Sequence, residues 1–186
     1  MKPYAELPAS VWYEETRYEL DLSYAAFYAA LDALNDRRLM DAVRLETALD
    51  ILVRGPHPAD PGLLSAIIDL IKDDKPPSGE PKRLDIEQDW EYICAAFQQA
   101  YGIDLYTDKT IHILRFRALL ESVPKSTKLA EIVGIRAADI PKPTKYNAQE
   151  IANLTRLKAY YALKGDTRSL QDGWARLFEM LEARAK

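Results

Sequence analysis

Cysteine occurs once in the 186 residues, at Cys94, and histidine twice, at His57 and His112. A lone thiol excludes an internal disulfide and a cysteine-ligated zinc site. Glycine is scarce, 7 residues against 11 prolines. The glycines stand singly, so they form no phosphate-cradling loop, dinucleotide fingerprint or G-x-S-x-G elbow. The imbalance argues against a turn-rich all-β protein and for helices separated by proline breaks. An excess of one charge sign is missing too, with 25 basic and 29 acidic residues well mixed and a net charge of −4. Nucleic-acid binders gain affinity from clustered Lys and Arg that neutralise phosphates. The closest approaches here, Arg37-Arg38 and Lys142 with Lys145, read as solvated loop charge. No run approaches the roughly 20 apolar residues of a membrane span. Residues 1–30 carry Glu6, Glu14, Glu15 and Asp21 and no continuous apolar stretch, so they do not read as a secretory leader. These absences point to a protein made and used in the cytoplasm of a cell, with neither nucleic acid nor membrane as its partner.

What is present is 48% hydrophobic and 29% charged residues, the balance of a globular chain. Residues 11–20 predict a hairpin, with β-branched and aromatic residues on either side of Glu14-Glu15. Helical spacing follows. Tyr24, Phe27, Tyr28, Leu31 and Leu34 share one face behind a Ser23 cap, and a second helix is expected over about 38–52. A third holds Leu63, Leu64, Ile67, Ile68 and Ile71 and is entered through Asp60-Pro61. Residues 73–82 collapse into charge, proline, Ser and Gly and read as a linker candidate.

Beyond the linker a helix is expected over 86–101. It carries Trp90, Ile93, Cys94, Phe97 and Tyr101 on one side and Tyr92, Ala95 and Ala96 on another, and Gly102 closes it. The next, over about 108–122, is expected to bury Ile111, Leu114, Phe116, Ala118 and Leu119 before Pro124. A shorter helix holds Leu129, Ile132 and Val133. Another holds Ile151, Leu154, Leu157 and Tyr161 and ends at Gly165. Finally Leu170, Trp174, Leu177, Phe178 and Leu181 mark an amphipathic helix. Full burial of such side chains is worth about 1.5–3 kcal/mol each, so its own domain or a partner must cover them. The expected fold is mostly α, a multi-helix orthogonal bundle with a short N-terminal β-hairpin. Residues 1–163 form its core domain and 164–186 a helical appendage.

Candidates for chemistry are few. His57 sits in a stiff Gly55-Pro56-His57-Pro58 loop, and His112 lacks a second ligand one helical turn away, so both read as structural. Cys94 stands mid-helix between Ile93 and Ala95, as a small core residue does. Asp85, Glu87, Asp89 and Glu91 could hold Mg²⁺ or serve as acid and base. Carboxylates also gather in the first turn of a helix because its dipole stabilises each by about 0.3–1 kcal/mol, and capping with solvation is the stronger reading. No catalytic, metal or cofactor-binding residue is assigned, and an enzyme is not expected.

One extended pattern carries more. Asp85-Ile86-Glu87-Gln88-Asp89 is followed by Tyr92-Ile93-Cys94-Ala95-Ala96-Phe97 and Tyr101-Gly102-Ile103-Asp104-Leu105. His112, Phe116 to Leu120, Thr127-Lys128-Leu129, Ile132, Ile135-Arg136 and Asp139-Ile140 then follow at fixed spacing. The pattern resembles the phage gene-product-fifteen family, most closely over 84–142 and more loosely from 7 to 163. The chain departs from the family at Ile113-Leu114, where members carry a tryptophan pair, and in the stripe at 170–181. The resemblance implies a tail assembly chaperone of a long-tailed phage. Such a chaperone coats the tape measure protein, a long apolar helical chain, before tail tube subunits polymerise round it. The tape measure protein, the tail tube protein and further copies of the chain are then the expected partners. Leu170, Trp174, Leu177, Phe178 and Leu181 are the candidate contact residues, and packing of that stripe on its own domain is the competing reading. A structural virion component, such as a head–tail connector or tail completion protein, is the alternative function. An enzyme using Asp85 and Asp89 is a third.

Overall fold

Val11, Tyr18 and Leu20 lie on one side of an antiparallel hairpin formed by Ser10–Tyr13 (β1) and Thr16–Leu20 (β2), with Val11 opposite Tyr18. The two-residue turn places Glu14 at φ 45° and Glu15 at φ 61°. Left-handed geometry at both positions matches the twist of the flanking strands. Side chains other than Gly or Asn adopt it at a cost, and Glu14-Glu15 carries none of the residues that mark such a turn in sequence. The structure, a computed structural model, describes residues 6–72 and 82–164. The described residues hold seven helices and three strands, a mostly α fold with an N-terminal hairpin, as expected. The third strand was not expected. Val53–Arg54 (β3) pairs with β2 through Leu20 and Val53, and two residues are too few to show a periodicity.

The chain divides into two compact units, and of the described residues 6–72 and 109–118 belong to the first. Here Tyr24–Asn35 (α1) begins where the Ala26 N–H donates to Ser23 Oγ at 3.2 Å. Asp41–Leu52 (α2) starts three residues later than expected, because the Asp36 carboxylate accepts the Arg38 N–H and grips its guanidinium instead. Side chains of this type compete with the helix for backbone donors. Pro61–Ile71 (α3) is entered as expected, with the Gly62 N–H donating to Asp60 Oδ1 at 2.7 Å. Phe27, Leu49, Leu63, Leu64, Ile67 and Ile68 are fully buried in this unit.

Ile113–Glu121 (α5) is shorter than the expected helix over 108–122. Backbone around His112 is recruited elsewhere: Ile111 O accepts the Tyr24 N–H, and the Ile113 N–H donates to Leu22 O, both at 2.8 Å. Ile111 and Phe116 are buried as expected and Ile113 is buried with them, whereas Leu114 and Leu119 are half-buried and Ala118 is exposed. Phe116 stacks on Tyr24 with ring centroids 4.8 Å apart.

The second unit holds residues 82–108 and 119–164. Trp90–Tyr101 (α4) buries Ile93, Cys94, Ala96 and Phe97 and ends at Gly102 in the left-handed conformation. Tyr92 is half-buried and Ala95 exposed, so the second apolar side expected of this helix is only partly covered. Lys128–Ala137 (α6) is capped by Thr127, whose hydroxyl accepts the Ala130 N–H, and buries Leu129 and Ile132. Ala148–Tyr160 (α7) packs on α6. Residues 73–81 of the linker candidate, Gly165 and the stripe from Leu170 to Leu181 lie outside the described residues.

Candidate functional site

The acidic turn before α4 is a framework of hydrogen bonds. Asp85 Oδ1 accepts the N–H groups of Glu87 and Gln88, and the Asp85 N–H donates to Asp89 Oδ2 at 2.9 Å. These bonds hold residues 86–89 in a turn, so α4 begins at Trp90 and not at Ile86. Asp85 caps the backbone as expected, but the reading of the acids as solvated is corrected for two of them. Asp85 and Asp89 are buried, Asp89 to 1% exposure, while Glu87 and Glu91 remain exposed. Burial alone would raise the Asp85 carboxyl, but the Gln88 N–H and the Lys82 ammonium at 2.7 Å hold it below its usual value.

Arg136 organises what surrounds this turn. Its Nη1 and Nη2 donate to the two oxygens of Asp89, Nη1 also reaches Arg83 O at 2.9 Å, and Nε donates to Tyr161 O at 2.7 Å. One guanidinium thus joins α6 to the acidic turn and to the end of α7. Lys158 works from the other side, its ammonium donating to the carbonyls of Ile135, Arg136 and Ala138 at the C-terminal end of α6. A cation there satisfies carbonyls that lack a helical partner. Gln88 completes the frame by exchanging two hydrogen bonds with the backbone of Lys164.

Held in this way, α7 buries none of its thirteen residues. Ile151, Leu154, Lys158 and Tyr161 are half-buried. Leu157 is 36% exposed and Tyr160 76%. The connection before α7 adds Ile140 at 50% and Tyr146 at 90%. Single exposed apolar residues are ordinary, and here four of them fall on α7 and the connection that leads to it. The sequence showed the stripe of α7 but not which part of it stays uncovered.

The other candidates are structural in their surroundings. Cys94 is buried, and burial pushes its thiol up against the pull of the Tyr106 hydroxyl. His57 Nε2 lies 3.1 Å from the Asp50 carboxylate, and His112 bonds to the Pro8 carbonyl. Among the described residues no three His, Cys, Asp or Glu side chains gather in a way that could hold a metal, and no helix is long and apolar enough to cross a membrane. Leu170, Trp174, Leu177, Phe178 and Leu181 lie outside the described residues.

The described residues form seven helices and an N-terminal three-stranded sheet, and leave Leu157 and Tyr160 exposed on α7. The family described as bacteriophage Gp15 protein matches residues 4–163. The chain belongs to that family and is a phage protein. No curated protein and no solved structure matches it.

Proposed function

We propose that the protein is a non-catalytic tail assembly chaperone that acts in the host cytoplasm. It would bind the tape measure protein and keep it soluble until tail tube subunits enclose it. The observation that carries this reading is α7, a helix with no buried residue that leaves Leu157 and Tyr160 to solvent, with Ile140 and Tyr146 also exposed in the connection before it. Membership of a phage family supports it. A long helical partner with apolar stripes would aggregate alone, and an amphipathic helix face covers such stripes through helix-in-groove contacts. Modest contacts repeated along the partner suit a chaperone that must later be displaced. Self-association along the partner belongs to the same proposal.

Co-expression with the tape measure protein of the same phage tests it. The chaperone reading expects that protein to move from the pellet to the soluble fraction, and finished particles to lack this chain. An unchanged pellet would refute it. Stoichiometric recovery of the chain in purified virions would make it a structural component.

A further inference from the structure

α7 and the segments that flank it carry more basic than acidic side chains. Residues 138–164 hold five basic side chains, Lys142, Lys145, Arg156, Lys158 and Lys164, against two acids, Asp139 and Glu150. The Lys158 ammonium is taken up by three carbonyls. The other four form no ion pair among the described residues. Lys145 lies over the Tyr146 ring at 6.0 Å. With 3.6 residues per turn, Arg156, Tyr160 and Leu157 share an arc of roughly 100°, with the acid Glu150 at its edge beside Leu157, and the arc is turned away from Ile151 and Lys158. From Tyr146 to Tyr160 the strip runs roughly 20 Å at helical rise, about four turns of a partner helix.

We propose that this face docks amphipathic helices whose polar flank is acidic. Leu157, Tyr160, Tyr146 and Ile140 would take the apolar stripe, and Lys142, Lys145 and Arg156 the carboxylates beside it. The inference rests on the chaperone reading and gives its partner a chemistry. The chain's overall charge of −4 makes the preference diagnostic, because the long-range field of the whole protein favours a basic ligand. Selection of an acidic one has to come from the local face. The aliphatic Ile140 and Leu157 suit a protein stripe, and four dispersed cations are too few for a phosphate track.

The test uses the full chain and two synthetic helical peptides of about 18 residues, long enough to hold a helix. Both have the same leucine stripe and differ only in flanks of Glu or Lys. Binding is read by fluorescence anisotropy. The Glu-flanked peptide is expected to bind about tenfold more tightly at low salt, an advantage that shrinks as salt screens the exposed pairs. Lys145→Glu with Arg156→Glu should abolish or reverse the preference. Leu157→Ala with Tyr160→Ala should weaken both peptides alike, with an unchanged circular dichroism spectrum in each variant. Equal or tighter binding of the Lys-flanked peptide overturns the proposal, as does indifference to the charge reversals. Tighter binding of a labelled single-stranded oligonucleotide would assign the face to nucleic acid. Binding that appears only after deletion of residues 168–186 would assign it to the chain's own C-terminal stripe. A dimer dispersed by Tyr160→Ala would assign it to a second copy, and each of these three outcomes overturns the proposal. If neither peptide binds while the tape measure protein is still solubilised in co-expression, the docking inference fails and the chaperone reading stands. Selective binding of the Glu-flanked peptide with an unchanged pellet would leave the chemistry of the face and remove the chaperone reading.

Discussion

Arg136 meets Asp89 in a two-pronged ion pair across 47 residues of sequence, Nη1 to Oδ2 at 2.6 Å and Nη2 to Oδ1 at 2.8 Å. Asp89 is 1% exposed and the Arg136 side chain 10%. Both charges are thus out of water, and each is tolerable only because of the other. Removing one partner of such a pair leaves an uncompensated buried charge and typically costs about 3–5 kcal/mol. We expect that loss for Arg136→Ala and for Asp89→Ala, read from urea unfolding. Arg136→Lys should recover only part of it, since an ammonium cannot reach Asp89, Arg83 and Tyr161 in one plane. A loss below about 1 kcal/mol for either alanine variant would mean that water reaches the pair.

The hairpin turn is where sequence and backbone disagree most. Glu14 and Glu15 occupy left-handed positions that Asn and Gly adopt more easily. Replacing them by Glu14→Asn with Glu15→Gly should raise stability by about 1–2 kcal/mol, since L-residues other than Gly and Asn pay roughly that in this region. A thermal melt unchanged or lowered by the double substitution would show that the carboxylates contribute something the turn geometry does not.

Several elements were legible because their signals are local. Ser23 and Asp60 each accept a backbone N–H two or three residues ahead, within the reach of a short polar side chain. The starts of α4 and α5 were not legible: the bonds between Asp85 and residues 87–89 hold a turn where the spacing suggests helix, and Ile111 and Ile113 are drawn to residues 22 and 24. A first-turn acid and a buried ion-pair acid look alike in sequence. The apolar stripe of α7 was visible, but its coverage depends on α6 and on Lys158 reaching three carbonyls. No periodicity of α7 itself contains that information.

Two glycines should respond to alanine in opposite directions. Gly102 closes α4 at φ +67°, with nothing within 4 Å of where a Cβ would stand. The penalty of Gly102→Ala is therefore purely conformational, about 1 kcal/mol or more. Gly134 lies inside α6, on its exposed side, with equally open space around it. There alanine lowers the entropy of the unfolded chain and favours the helix, so Gly134→Ala should stabilise by about 0.8–1 kcal/mol. Denaturant midpoints of the two variants moving the same way would contradict the assigned backbone at one of them.

His112 supplies a pH dependence whose direction follows from its two hydrogen bonds. Nδ1 accepts the Leu114 N–H at 3.2 Å, and Nε2 lies 3.0 Å from Pro8 O. A backbone amide can only donate and a carbonyl can only accept, so the folded ring is neutral with its proton on Nε2. Burial lowers its pKa from the ordinary 6.5, against the Pro8 carbonyl, which favours the charged form. The unfolded chain therefore takes up a proton first as the solution is acidified. The stability that His112 contributes is whole above the unfolded value of 6.5 and is lost as pH falls through the lower folded value. We expect the urea midpoint to fall between about pH 7.5 and 5.5, and to fall less in His112→Gln, where no proton can be added. The amides around Pro8 should lose protection, taken relative to the intrinsic exchange rate at each pH, over the same range in the wild-type chain. Parallel pH profiles for the two proteins would show that the ring titrates as freely in the folded chain as in the unfolded one.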